Sequence, residues 1–161
     1  MRALSSICPR YLGICKFRNL VVTLLTALKN MSMEPSTLEP LDKAGAITTL
    51  VSLLGVPRGG GGGGGDEDLE NQVLQCMFYL CRISRKRQEK AAVAGLIPHL
   101  RRRQSRLKQF ALQMACDFAH TSNVVRSLMW DEGVVDFYLS IMRSPKDRHW
   151  HVTIFRSLCA W

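Results

Sequence analysis

Residues 94–100 read Ala94-Gly95-Leu96-Ile97-Pro98-His99-Leu100, and the same Gly-apolar-apolar step stands at Ala44-Gly45-Ala46-Ile47-x-x-Leu50 and at Glu132-Gly133-Val134-Val135-Asp136-Phe137-Tyr138. Gly45 and Gly95 are 50 residues apart, or 43 with the seven glycines of Gly59–Gly65 set aside, and Gly95 and Gly133 are 38 apart. HEAT and armadillo units recur at about 40–47 residues. A glycine at such a step lets a short helix turn sharply into a second one and lets the two backbones approach. Long-helix blocks follow the first two copies, Cys76-Met77-x-x-Leu80-x-Arg82-Ile83-Ser84 and Ala111-Leu112-x-x-Ala115-x-Asp117-Phe118-Ala119. A repeat of this kind cannot bury its apolar face alone, so neighbours must stack to make a continuous core.

Outward from these steps, apolar residues recur at three and four rather than at two, which predicts amphipathic helices and few strands. The predicted helices are Asn19–Met31, Glu39–Gly55 with a bend at Ala44-Gly45, Leu69–Ser84, Lys86–Arg103, Leu107–His120, Asn123–Arg143 and His149–Trp161. Pro35, Pro40, Pro57 and Pro145 fall between them, whereas Pro98 should open a new helix from its first turn. The fold class is therefore all-α, an armadillo/HEAT-type helical solenoid of about three repeats, truncated at both ends. Residues 19–161 carry the repeats, with a Gly-rich loop inserted at 59–68, and residues 1–18 are unassigned. Because neither end shows a polar cap, apolar faces should be exposed and the isolated chain should associate.

The 161 residues include 22 Lys+Arg and 13 Asp+Glu, with 47% hydrophobic residues, enough for a packed core. The charge is local. Between Arg82 and Lys108 there are ten Lys/Arg and one acid, Glu89. Arg85-Lys86-Arg87 and Arg101-Arg102-Arg103 stand at predicted helix ends, where cations complement the helix dipole and solvate a loop. Their functional reading is a docking surface for an acidic protein partner or an anionic membrane. A nucleic-acid-binding module on residues 82–108 is the lesser alternative, because no binding motif and no aromatic interleaving accompany the charge.

The six cysteines lack paired metal spacing and no secretory signal precedes them, which predicts reduced thiols in an intracellular, cytoplasmic protein. The apolar run from Leu20 ends at Lys29, too short for a transmembrane span. The glycine run contains G-x-G-x-x-G as any such run would, with no strand before it and no lysine after it to hold a phosphate. Cys116 and His120 share a helix face but make only half a metal site. No Cys/His pair has an orienting third residue. No catalytic residue, cofactor or metal is expected.

Further blocks carry a family resemblance. Asn30-Met31-Ser32-Met33-Glu34-Pro35-Ser36-Thr37-Leu38-Glu39-Pro40-Leu41, Lys86 to Leu100, Leu107-Lys108-Gln109-Phe110-Ala111, Cys116-Asp117-Phe118-Ala119-His120 and Trp150-His151-Val152-Thr153 occur in order. Together they resemble the armadillo region C-terminal to the kinase domain in fungal septation-network serine/threonine kinases and plant MAP kinase kinase kinase epsilon. The resemblance covers roughly residues 19–161. It implies a parent kinase of septation or cytokinesis, placed at a spindle pole or division site, with a small GTPase or scaffold as partner; the alternative expectation is a free-standing armadillo adaptor. The chain itself holds no V-A-I-K lysine, H-R-D loop or D-F-G site, and its nearest echo, Asp117-Phe118-Ala119, falls within a repeat helix.

In peptide-binding armadillo domains the long third helix lines the groove and presents an asparagine near its C-terminal end. Here Arg82 and Asp117 hold that place, so an asparagine ladder is absent. Phe78 and Gln113 are the neighbouring groove candidates for a folded or helical partner. The candidate partner residues are thus Phe78, Arg82, Arg85, Lys86, Arg87, Arg101, Arg102, Arg103, Gln113 and Asp117.

Overall fold

The computed structural model describes residues 18–55, 65–101 and 108–161, and these residues form helices, turns and no strand. Gly45, Gly95 and Gly133 all have positive φ, at 76°, 96° and 66°. These are dihedrals that L side chains avoid, so each step ends one helix and starts another without strain. The first step separates α2 (Pro35–Lys43) from α3 (Ala46–Leu54), the second α5 (Arg85–Val93) from α6 (Ile97–Leu100), and the third α8 (Asn123–Asp131) from α9 (Val134–Met142).

Between these pairs run the longer helices α1 (Arg18–Met33), α4 (Gly65–Cys81) and α7 (Lys108–Ala119), and the chain closes with a 3-10 turn (Pro145–Trp150) and α10 (His151–Leu158). α1 packs on α4, α4 on α7 and α7 on α10, while α3 packs on both α4 and α5, and α5 on α8. Each short pair is covered by the long helix that follows it, and one continuous apolar core runs through the stack. Its largest fully buried side chains include Leu41, Ile47, Met77, Leu80, Leu112, Phe118 and Tyr138. At roughly 1.5–3 kcal/mol per buried large apolar side chain, this shared core is the dominant stabilising term.

Polar side chains add hydrogen bonds between the stacked helices at backbone carbonyls. The Cys76 thiol donates to the Leu25 carbonyl (3.4 Å), and Ser157 Oγ donates to the Cys116 carbonyl (3.3 Å). Gln88 Nε2 donates to the Cys81 carbonyl at 3.1 Å, and its Oε1 accepts from Thr121 Oγ1 at 2.7 Å.

Several element boundaries differ from the periodicity. Pro35 and Pro40 do not lie between helices: Pro35 occupies the first turn of α2 and Pro40 lies inside it. A nine-residue helix tolerates this, since the carbonyl that Pro40 leaves unbonded belongs to solvent-exposed Ser36. The predicted single helix Asn123–Arg143 is two helices, broken at Gly133. α4 reaches back to Gly65, so residues 65–68 lie in its first turn rather than in a loop. Residues 1–17, Pro57 and the glycines before Gly65 lie outside the described residues.

Candidate functional site

α4 and α7 are adjacent, and aromatic, amide and charged side chains stand on their solvent side. Phe78 is half-buried, with its ring edge-on to Tyr79 (5.4 Å between centroids) and to Phe110 of α7 (5.0 Å). One turn on, the exposed Arg82 guanidinium lies 5.5 Å from the Tyr79 ring centroid, the distance of a cation–π contact. Tyr79 and Phe110 were not among the sequence candidates. The signal for Tyr79 was its i, i+3 spacing to Arg82, while Phe110 meets the pair only across two helices. The aromatic and cationic groups that are not interleaved in sequence are thus brought together by the stack.

On α7, Gln113 Nε2 donates to Asp117 Oδ1 at 2.8 Å, an i, i+4 pair that orients the carboxylate. Burial raises the Asp117 carboxyl above the usual carboxylate range, with the Gln113 hydrogen bond and nearby His120 pulling the other way. Arg82 directly follows α4 and Asp117 lies in the last turn of α7, but the two do not hold the same place: matching the Ser84 and Ser122 N-caps and the Gly95 and Gly133 steps sets Arg82 against His120 and Asp117 against Tyr79.

The triplet Arg85-Lys86-Arg87 divides. Arg87 is buried: its Nε donates to the Leu80 carbonyl at 2.6 Å and its Nη1 lies 4.0 Å from Glu39 Oε2. It closes the C-terminus of α4, so it is a packing residue and not a docking one. Arg85 and Lys86 are exposed in the first turn of α5, behind the Ser84 N-cap that accepts from the Arg87 N–H. That corrects the dipole reading for these two, because a helix N-terminus is its positive end and cations there are disfavoured. Among the described residues no carboxylate forms an ion pair with Arg82, Arg85 or Lys86.

Lys90 is also consumed by the fold, with its Nζ 2.5 Å from Asp42 Oδ1. Arg101 is exposed after α6, and its Nη1 lies 3.0 Å from where a Gly133 Cβ would stand. Arg102 and Arg103 lie outside the described residues.

Cysteine chemistry adds nothing to this surface. Burial pushes the Cys76 and Cys81 thiols up to about 12, and burial also raises Cys116. Protonated, buried thiols are neither nucleophiles nor metal ligands. Cys116 is buried while His120 is exposed, and among the described residues no group of three His, Cys, Asp or Glu could hold a metal. Among them, too, no helix is long and apolar enough to cross a membrane.

No protein-family model matches the chain. It is 34% identical over 143 residues, 87% of its length, to Cytokinesis protein sepH of Aspergillus niger, and 35% identical over 142 residues, 86% of its length, to MAP3K epsilon protein kinase 1 of Brassica napus. A third relative, Cell division control protein 7 of Schizosaccharomyces pombe, is 29% identical over 140 residues. The chain spans about 10% of the first two and 13% of the third. It is therefore related, over about 87% of its length, to a segment of the septation and MAP3K epsilon kinases that makes up about a tenth of each.

Proposed function

We propose that this chain is a non-catalytic, armadillo-type interaction segment of a septation or cytokinesis kinase, and that it acts by position. The carrying observation is the pairing of a stacked-helix fold with relatives in which the matching segment is about a tenth of a kinase-class protein. Solenoids work by presenting extended surfaces to partners. The surface we assign is the α4–α7 face with Phe78, Tyr79, Phe110, Arg82, Gln113 and Asp117, extended by Arg85 and Lys86. Of its exposed cations, Arg85 and Lys86 sit where the helix dipole disfavours them, so local helix stability does not account for these two. They suit an acidic protein surface, such as that of a small GTPase or a scaffold at the spindle pole or division site.

Segment exchange tests this reading. The matching segment of Aspergillus niger sepH is replaced by this chain, and septation is scored beside a strain lacking the segment. The exchanged strain should form septa and the deletion strain should not. Equal septation in the two would contradict the proposal.

A further inference from the structure

Arg82, Ile83 and Ser84 make the whole connection between α4 and α5, and Arg85 and Lys86 open the next helix. Ser84 therefore stands between cations, one residue from Arg85 and two from Arg82 and Lys86. Its backbone is extended (φ −138°, ψ 109°), and its half-buried Oγ accepts one long bond, 3.4 Å from the Arg87 N–H. Among the described residues the hydroxyl donates to no acceptor. Ile83 beside it is 63% exposed, and Arg82, Arg85 and Lys86 are exposed with no ion pair among the described residues.

We propose that Ser84 is a phosphorylation site, modified by a protein kinase with an acidic substrate groove, and that its phosphate shuts the cationic corner to an acidic partner. The inference rests on the reading of Arg82, Arg85 and Lys86 as docking cations. Flanking Lys and Arg attract an acidic groove by the same charge complementarity that suits them to an acidic partner. In the reaction Ser84 Oγ attacks the γ-phosphorus of a nucleoside triphosphate and gives its proton to the kinase's base. The bond from that phosphorus to the bridging oxygen breaks, and the nucleoside diphosphate leaves. The product group carries about −1.5 to −2 charge and three strong acceptor oxygens. Set among three cations, it takes their sum down to about one positive charge and gives them an anion nearer than any partner's. The fold survives the change, because a phosphate oxygen accepts the Arg87 N–H as the hydroxyl did. Ser122 is the internal comparison: it caps α8 as Ser84 caps α5, yet no lysine or arginine stands within three residues of it.

The test treats the full chain with ATP and a serine kinase that prefers basic substrates. Fragment mass spectrometry maps the phosphate, and the salt that elutes the chain from poly-L-glutamate resin is measured. Ser84→Asn is the control variant, since asparagine caps a helix as serine does and has no hydroxyl. Phosphate should appear on Ser84 and not on Ser122, and Arg85→Glu with Lys86→Glu should cut its incorporation at Ser84 about tenfold. The treated chain should elute at lower salt than treated Ser84→Asn, a comparison in which phosphate on other serines cancels. No phosphate on Ser84, equal phosphate on Ser122, or equal elution of the two treated chains would overturn the proposal. Septation of the segment-exchanged strain reads the proposed function separately, so the two readings fail by different results.

Discussion

Arg87 and its neighbours Arg85 and Lys86 are one triplet in sequence and two kinds of residue in the fold. Arg87 threads under α5 to the last turn of α4, where its guanidinium meets the Leu80 carbonyl and Glu39. Arg87→Ala leaves that carbonyl without its donor in a buried place, so it should lower unfolding stability by about 2 kcal/mol, whereas Arg85→Ala should change it by less than about 0.5 kcal/mol. Urea denaturation of the two variants checks the contrast. Charge composition alone showed a basic run and not this division, because side-chain burial depends on which helix end comes near. Tyr79 and Phe110 were missed for the same reason, since their meeting depends on how α4 stacks on α7.

Among the elements, the turns were more legible than the helix ends. The three Gly steps declared themselves because a positive φ admits few residues other than glycine, and all three have it. Gly95 has φ +96° and no atom within 4 Å of an added Cβ, so Gly95→Ala meets only backbone strain, about 2 kcal/mol. Gly55, at φ −83° after α3, is the matched control, where alanine should leave stability unchanged or slightly raised. Parallel urea titrations with unchanged m values would verify both. The predicted single helix Asn123–Arg143 ran across Gly133 although the buried spacing jumps by five from Met129 to Val134, between intervals of three and four on either side, and that jump is the mark of the break. Pro40 inside α2 went unread because proline rules describe long helices, and a helix of nine residues has few internal bonds to lose.

At the scale of the whole molecule, the all-α stack was legible because repetition at a fixed spacing leaves one economical way to bury the apolar faces. The candidate surface was legible only in part. Phe78 lies on α4, Arg82 directly after it, and Gln113 and Asp117 on the adjacent α7, whereas Arg87 is taken by packing and Arg101 leans on the α8–α9 step. Surface chemistry obeys no packing rule that a sequence must satisfy, so the partner is not written in the periodicity that gives the fold. On the function proposed above, the long-helix face is an interaction surface that works apart from phosphoryl transfer. The most direct test is Arg82→Glu, Arg85→Glu and Lys86→Glu together, placed in the segment-exchanged sepH and scored for septation and for kinase activity of the purified protein. The account predicts loss of septa with kinase activity retained; normal septation, or kinase activity lost in parallel, would contradict it.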